Sequence, residues 1–181
     1  MKYLTPTLET ERLILKRGRK EDYISVYEYD FTKLRDVDEE FKFVKLDSSV
    51  GESFYSSKKY LNDMFDWIIY LKNTGEPIGN ILTMRLSSEE NAAEISYNLH
   101  PNYWHKGYMT EAATSVIDFL FEKGFDNIFC GYEEGNFKSK GLIEKLGFEL
   151  YETKENAWIK NNKPITNYIY VMNNHKKKKS H

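Results

Sequence analysis

The sequence predicts a mixed α/β domain in which helices pack against a central sheet. Short β-rich runs alternate with stretches of helical periodicity, in the order strand, helices, three strands, helix, strand, helix and two strands. That order is typical of a sheet covered by helices. The 181 residues, 40% of them apolar, suffice for one full-sized core. We therefore expect one domain over residues 1–174 and a basic, disordered tail over residues 175–181.

The charge, the cysteine and histidine content and the hydropathy of the sequence exclude several classes of protein. A net charge of -2 and a pI of about 6.1 argue against general nucleic-acid binding. Cys130 is the only cysteine, which excludes an internal disulfide and favours a reducing compartment. The four histidines show no metal-binding spacing with it. No apolar run reaches the length of a membrane span, and the first residues contain no apolar signal core. We expect a cytoplasmic protein without metal or membrane partner, either a monomer or a homodimer.

The first half of the chain contains one predicted strand, two predicted helices and a hairpin. "RLILKR" is typical of a strand, and "KEDYISVYEYDF" predicts a short helix with acids in its first turn. "RDVDEEF" predicts an acidic loop and "SSKKYLNDMF" a helix. In "DWIIYLKNTGEPIGNILTMRL", two β-rich runs flank the turn residues of "NTGEP", which predicts a hairpin.

The second half shows stronger periodicity. "AAEISYNL" predicts a strand stopped by Pro101, and apolar residues recur at helical spacing over residues 110–123. "NIFCGYE" predicts a buried strand, with Cys130 in the core. "NFKSKGLIEKLGF" predicts a short helix with Asn136 as N-cap and Gly147 as C-cap. "ELYETKENAWI" and "PITNYIYVM" predict a closing pair of strands.

Gly107 stands immediately before the predicted helix over residues 110–123. A helix start leaves backbone N–H groups unpaired at its positive end. A capping box would pair Thr110 with an acid or amide three residues on, but that residue is Ala113. A glycine beside such a start lets the backbone approach an anion closely, which indicates a pyrophosphate site. The alternative is an ordinary loop glycine before a core helix, with water on the free N–H groups.

The segment over residues 93–148 resembles the acyl-CoA-binding core of the GNAT acetyltransferases. It contains "AEISYNL", then "YWHKGYMTEA", "NFKS" and "EKLGF", in the order and spacing of that family. The branch containing the ribosomal-protein-alanine acetyltransferases is the most similar, and "LETERLILKR" and "GEPIGNI" also fit. The resemblance implies a mostly antiparallel, twisted sheet flanked by helices, and acetyl-CoA as co-substrate. Ser96, where the family usually has glycine, and Met109, where alanine is common, depart from the pattern.

The resemblance also assigns the cofactor-binding residues. The loop before the helix would wrap the CoA pyrophosphate with its backbone N–H groups, and backbone N–H groups near the end of the preceding strand would hold the acyl oxygen or pantetheine. Asn136 would contact the pantetheine arm as well as cap its helix. Glu111 is interpreted as structural, and Lys106 as either a phosphate contact or a solvated lysine. The residues assigned to CoA are Asn98, Leu99, His105, Lys106, Gly107, Tyr108, Met109, Thr110 and Asn136.

Acyl transfer to an amine requires a base, because an ammonium group has no lone pair, and benefits from an acid that protonates the departing thiolate. Glu94 is the leading base, with a structural carboxylate paired to an arginine or a helix end as the alternative. Ser139 matches the family serine near the sulfur and is the predicted acid, although it is also a first-turn polar residue. Tyr132 is the reserve acid. Tyr97 and Tyr103 are interpreted as core or rim aromatics.

The function implied by the resemblance is transfer of an acetyl group from acetyl-CoA to a primary amine. The acceptor would be a protein N-terminus, a peptide, a polyamine or a small metabolite. Acids in the loop over residues 35–41 would favour a cationic acceptor by electrostatic steering, unless they form only a solvated loop. The alternative function is a non-catalytic acyl-CoA-binding or sensing module. The acids concerned are Asp36, Asp38, Glu39 and Glu40.

Overall fold

The computed structural model describes residues 5–30, 45–46, 49, 65–87, 91–160 and 162–174. These residues form three α-helices, a short 3-10 helix over Pro101–Tyr103, and ten strands. The helices are α1 (Lys20–Tyr27), α2 (Tyr108–Glu122) and α3 (Phe137–Leu146). The strands are β1 (Leu8–Glu9), β2 (Leu13–Lys16), β3 (Tyr29–Asp30), β4 (Lys45–Leu46), β5 (Asp66–Leu71), β6 (Pro77–Ser87), β7 (Ala92–Leu99), β8 (Asn127–Glu133), β9 (Glu149–Lys160) and β10 (Lys163–Asn173).

Eight of these strands form one sheet in the order β1-β2-β5-β6-β7-β8-β10-β9, and β3 pairs separately with β4. β7 and β8 are parallel, and α2 lies between them in the sequence. A parallel pair needs such a crossover connection. β1 with β2, β2 with β5, β5 with β6, β8 with β10 and β10 with β9 are antiparallel. The prediction of a mixed α/β fold with a mostly antiparallel sheet is confirmed.

The described chain divides into two compact units, of which the first comprises residues 1–84 and 96–116. In it, the apolar side chains of Tyr23 and Val26 on α1 pack with Ile68 and Tyr70 on β5. Two buried acids complete this face: the Tyr70 hydroxyl donates to Asp22 at 2.8 Å, and the Tyr23 hydroxyl donates to Asp66. Buried polar groups are tolerated when they are paired in this way.

The second unit comprises residues 85–95 and 117–181. Along β8, Ile128, Cys130 and Tyr132 alternate into the core, as the period of a strand requires. α3 packs on β8 and buries Ile143 completely. Cys130 is therefore a core residue, as predicted.

The structure confirms every predicted strand in the described residues and corrects two helix bounds. α1 ends at Tyr27 rather than near residue 31, because Tyr29–Asp30 pairs with Lys45–Leu46 in a contact that local sequence cannot reveal. α2 begins at Tyr108, two residues earlier than predicted.

Three predictions lie wholly or mostly outside the described residues: the acidic loop 35–41, the helix over residues 56–65, of which only Phe65 is described, and the tail 175–181. The single domain over residues 1–174 stays a prediction. None of the described helices is long and apolar enough to cross a membrane.

Candidate active site

The backbone at the start of α2 explains why residue 107 is glycine. Gly107 has a φ of +77°, a conformation that side chains disfavour, and its carbonyl accepts the N–H of Glu111 at 3.0 Å. Gly107 is therefore the N-cap, and the expected helix start at Thr110 is wrong by two residues. The prediction that this helix start has no side-chain cap still holds, because glycine has no side chain with which to cap the helix.

Three backbone donors remain at this helix start. Within the described part of the chain, no acceptor receives the N–H groups of Tyr108, Met109 or Thr110. The Met109 side chain is buried, so its backbone is fixed by packing. A β-carbon at Gly107 would meet only the Arg12 side chain, at 3.5 Å, so the glycine leaves one side of the turn open. The turn can therefore donate to an anion.

Glu111 fixes this turn to the β1–β2 connection. Its carboxylate accepts from the Thr10 hydroxyl at 2.5 Å, from the Arg12 backbone N–H at 2.8 Å and from Arg12 Nε at 2.7 Å. Arg12 Nη1 also donates to the Lys106 carbonyl at 3.0 Å, and the guanidinium lies 4.4 Å from the centre of the Tyr108 ring. Glu111 is a structural residue, as predicted.

The pKa of Glu111 reflects these bonds. Burial raises it, but the hydrogen bonds from Thr10 and Arg12 together outweigh burial and hold the pKa below its ordinary value. The carboxylate therefore stays ionised and bonded at neutral pH. Sequence reasoning recognised the structural role of Glu111 but missed its partners, which lie about a hundred residues earlier in the chain.

The side chain of Lys106 is bonded within the protein. Its Nζ donates to the Asn102 carbonyl at 2.8 Å and lies 5.4 Å from the centre of the Tyr103 ring. His105 is exposed and has a φ of +60°. An ammonium has three donors, so its bond to Asn102 leaves both original interpretations of this lysine open.

The end of β7 brings Asn98 and Leu99 against β6. A β-carbon at Gly79 would lie 2.4 Å from the Asn98 carbonyl oxygen, so this close approach requires glycine. Asn98 Nδ2 donates to the Val26 carbonyl at 3.0 Å, and Trp104 Nε1 donates to the Leu99 carbonyl at 2.8 Å. Trp104 and Gly79 were not predicted as site residues, although both fall in the quoted family motifs.

Glu94 is half-buried on β7 and forms no hydrogen bond or ion pair with any described residue. Burial raises its pKa, and the positive charge of Lys154 opposes that effect. The alternative of a carboxylate paired to an arginine or a helix end finds no support in the described contacts. Ser96, two residues further along β7, is exposed.

The start of α3 carries Asn136 and Ser139. Asn136 Oδ1 accepts the Ser139 backbone N–H at 3.1 Å, which confirms Asn136 as N-cap. At the other end, Gly147 has a φ of +89° and donates its N–H to the Glu144 carbonyl at 3.0 Å, which confirms the C-cap. These caps orient α3 but leave the catalytic assignment of Ser139 a prediction.

Tyr132 lies within an aromatic cluster on β8 and β10. Its ring stacks on Tyr168 with centres 5.0 Å apart, and Tyr170 lies 5.9 Å away. Burial, with a hydrogen bond to Tyr170, raises the pKa of Tyr132 to about 12. The hydroxyl therefore holds its proton at neutral pH.

The predicted residues are divided between the two units. Those assigned to CoA, apart from Asn136, belong to the first unit, and Glu94, Tyr132, Asn136 and Ser139 belong to the second. Among the described residues, no cluster of His, Cys, Asp or Glu has the arrangement of a metal site.

Comparison with known proteins decides the family. The profile described as "Acetyltransferase (GNAT) domain" matches residues 12–149, more than half of the chain. The chain belongs to the GNAT acetyltransferase family. This acetyltransferase is 23% identical over 176 residues to YoaA, an uncharacterized N-acetyltransferase of Bacillus subtilis, covering 91% of this chain and 95% of YoaA. It is 27% identical to the uncharacterized N-acetyltransferase p20 of Bacillus licheniformis, covering 79% and 82%.

Solved structures share the fold of this acetyltransferase. A GNAT-family acetyltransferase from Bacillus anthracis is 21% identical with a TM-score of 0.75, covering 93% of this chain and 99% of that one. The ribosomal-protein-S5-alanine acetyltransferase from Vibrio fischeri is 18% identical with a TM-score of 0.71, covering 94% and 97%. RimL, a ribosomal L7/L12 acetyltransferase solved with coenzyme A, is 14% identical with a TM-score of 0.74, covering 93% and 98%. The protein is thus an acetyl-CoA-dependent N-acyltransferase, and its place in the predicted branch stays a prediction.

Proposed function

We propose that this acetyltransferase passes the acetyl group of acetyl-CoA directly to a primary amine, with the first turn of α2 binding the CoA pyrophosphate. The observation that carries the proposal is the set of N–H groups of Tyr108, Met109 and Thr110, which have no described acceptor and are held in place by the Arg12–Glu111 pair. Such a helix start favours phosphate through both its N–H groups and its dipole.

The rest of the CoA site follows from the family pattern. His105 and Lys106 would line the same loop. The backbone near Asn98 and Leu99 would hold the acyl oxygen or pantetheine, and Asn136 would contact the pantetheine arm. The capping bond of Asn136 uses its Oδ1 atom, which leaves its Nδ2 donors for this contact.

Glu94 is proposed as the base. An aliphatic ammonium group has a pKa of about 10.4, so it must lose a proton before its nitrogen can attack the thioester carbon. A carboxylate whose pKa is raised by burial is a stronger base than an exposed one. The absence of a hydrogen-bond or ion-pair partner for Glu94 in the described contacts leaves its carboxylate available for this proton, directly or through water.

The leaving group requires a proton. When the nitrogen–carbon bond forms and the carbon–sulfur bond breaks, the electron pair goes to the CoA sulfur, and a nearby hydroxyl can protonate that thiolate. Ser139 is proposed as the donor because it matches the family serine. Tyr132 is the reserve, and its raised pKa means that it donates a hydrogen bond more readily than a free proton.

The acceptor is proposed at the level of class: a primary amine on a protein N-terminus, a peptide, a polyamine or a small metabolite. A ribosomal-protein-S5-alanine acetyltransferase and a spermidine N-acetyltransferase both share this fold, so a polypeptide amine and a polyamine are equally supported. The acidic residues 36–40, which would attract a cationic acceptor, are outside the described residues, so the acceptor rests on this likeness of fold.

The test is amine-dependent release of free thiol from acetyl-CoA. The panel contains an alanine-initiated peptide, the same peptide with a blocked N-terminus, a polyamine and a lysine derivative, and mass spectrometry identifies the acetylated product. Thiol release with the free peptide but not the blocked one supports α-amine transfer. CoA binding without turnover on any amine would instead support the acyl-CoA-binding module.

A further inference from the structure

Residues 100–107 connect the end of β7 to the first turn of α2. Under the proposed function, the backbone near Leu99 holds the acyl end of CoA, and the N–H groups from Tyr108 onward hold its pyrophosphate. The connection therefore sets the distance between two subsites for one ligand. All of these residues lie in the first compact unit.

Local bonds fold the first half of this connection. Its 3-10 turn begins after His100, whose carbonyl accepts the Tyr103 N–H at 2.9 Å. The Trp104 N–H donates to the Pro101 carbonyl at 3.1 Å. Each bond joins residues three apart, so these bonds shape the turn but do not fix how it leaves β7.

The side chain of Trp104 ties this turn back to the strand. Trp104 is half-buried, and its Nε1 donates to the carbonyl of Leu99, the last residue of β7, at 2.8 Å. The far end of the connection is held by Arg12, whose Nη1 donates to the Lys106 carbonyl at 3.0 Å. The indole bond thus joins the middle of the connection to the residue at which β7 ends.

A ligand held at both ends binds more tightly than either end alone, because binding at one end raises the effective concentration of the other. That gain requires the two subsites to keep the spacing of the ligand, and a connection that is ordered before binding loses less entropy when the ligand arrives. We propose that Trp104 is a positioning residue that fixes the spacing between the acyl and pyrophosphate subsites through its bond to Leu99. The indole acts through the backbone rather than on CoA itself.

Trp104→Phe tests this role, because it keeps an aromatic ring and removes the Nε1 donor. The dissociation constant of CoA, measured by calorimetry, should rise about tenfold, while that of ADP, which carries only the nucleotide and the pyrophosphate, should stay within about twofold. Turnover at saturating acetyl-CoA should fall as well, because a displaced thioester is poorly oriented for attack.

The matched control is Trp67→Phe. Trp67 Nε1 donates to the Pro6 carbonyl, also at 2.8 Å, and the side chain is buried on β5. This variant loses the same kind of bond and should melt at a lower temperature, but it should bind CoA and ADP like the wild type. A loss of CoA affinity in Trp67→Phe equal to that in Trp104→Phe would contradict a specific role for Trp104.

Two further results would overturn the proposal. Equal losses of CoA and ADP affinity in Trp104→Phe would indicate a general disturbance of the α2 turn, and unchanged CoA affinity would show that the bond to Leu99 is not needed. Should Trp104→Phe fail to fold, benzothienylalanine at position 104 gives the same comparison, because it keeps the shape of the indole and replaces its N–H by sulfur.

Gly107→Asp separates failure of this inference from failure of the proposed function. CoA affinity that is lost in Gly107→Asp but kept in Trp104→Phe would refute the role of Trp104 alone. A wild type that does not bind CoA, or a Gly107→Asp protein that binds it like the wild type, would refute both.

Discussion

Replacing Glu94 by glutamine separates its proposed catalytic role from a structural one. The substitution keeps the shape of the side chain and removes its ability to take a proton. A positioned base contributes about 10²- to 10⁴-fold to turnover, or about 3–5 kcal/mol of transition-state stabilisation. We expect a loss of turnover in that range at neutral pH, with CoA affinity unchanged, because the residues assigned to CoA do not include Glu94.

Stability should change in the opposite direction from activity. Burial raises the pKa of Glu94 in the folded state, so its contribution to folding is favourable below the unfolded pKa and is lost as pH rises through the raised value. At neutral pH the wild type therefore holds a half-buried charge without a described hydrogen bond. The glutamine variant should be at least as stable there, and each gain of about 1 kcal/mol would raise Tm by about 2–4 °C in a chain of this size.

The assay is amine-dependent thiol release over a pH series, with a melting curve at each pH. As the pH is lowered, the wild-type rate should begin to fall at a pH above the ordinary pKa of glutamate. The difference in turnover between wild type and variant should shrink as pH rises, because more of the amine is already neutral. Glu122→Gln, which neutralises an exposed acid on α2, is the matched control. A well-folded Glu94→Gln protein with wild-type turnover at neutral pH would refute the assignment.

Three further predictions concern CoA binding at Gly107, the stability that Glu111 gives to the start of α2, and the proposed proton donor Ser139. Gly107→Asp should reduce CoA affinity, measured by calorimetry, at least tenfold. Gly107→Ala should mainly lower the free energy of unfolding, by about 1–2 kcal/mol, because of the positive φ. Wild-type CoA affinity in the aspartate variant would contradict the placement of the pyrophosphate at this turn. Glu111→Ala should lower stability by about 1–3 kcal/mol by leaving Arg12 and Thr10 without their acceptor. Because the pKa of Glu111 is lowered, its contribution to stability is present above the unfolded pKa and is lost as pH falls toward the folded value, so melting curves of wild type and variant should converge in acid. Ser139→Ala should lower turnover more than CoA affinity; unchanged turnover would transfer the acid role to Tyr132 or water.

Most elements of the fold were predictable because their signals are local. Residues 92–99 formed the predicted strand with the predicted bounds, since alternation and the following Pro101 act on their immediate neighbours. Asn136 and Gly147 cap α3 as expected, because a cap depends on atoms only a few residues away. The family motifs over residues 93–148 also lie close together in sequence, so the family could be inferred before the fold was known.

Both helix bounds that failed depended on distant residues, and the start of α2 shows how. Periodicity alone placed the start of α2 at residue 110, but the first turn is held at Tyr108 by Arg12, which bonds both Glu111 and the Lys106 carbonyl. Nothing near residue 108 in the sequence records that contact. Gly107 was correctly singled out for its position, but its positive φ, an independent reason for glycine, became evident only in the folded backbone.

The sequence by itself determined the order of the elements, the caps and the family motifs, and it made Glu94 the predicted base. The tertiary structure alone decided the environment of that base, half-buried on β7 without a described hydrogen bond, and the partners of Glu111. It also left β9 exposed along its whole length at one edge of the sheet. The physical reason is range: propensity, periodicity and capping act over a few residues, whereas burial, ion pairing and strand order depend on which distant segments the fold brings together.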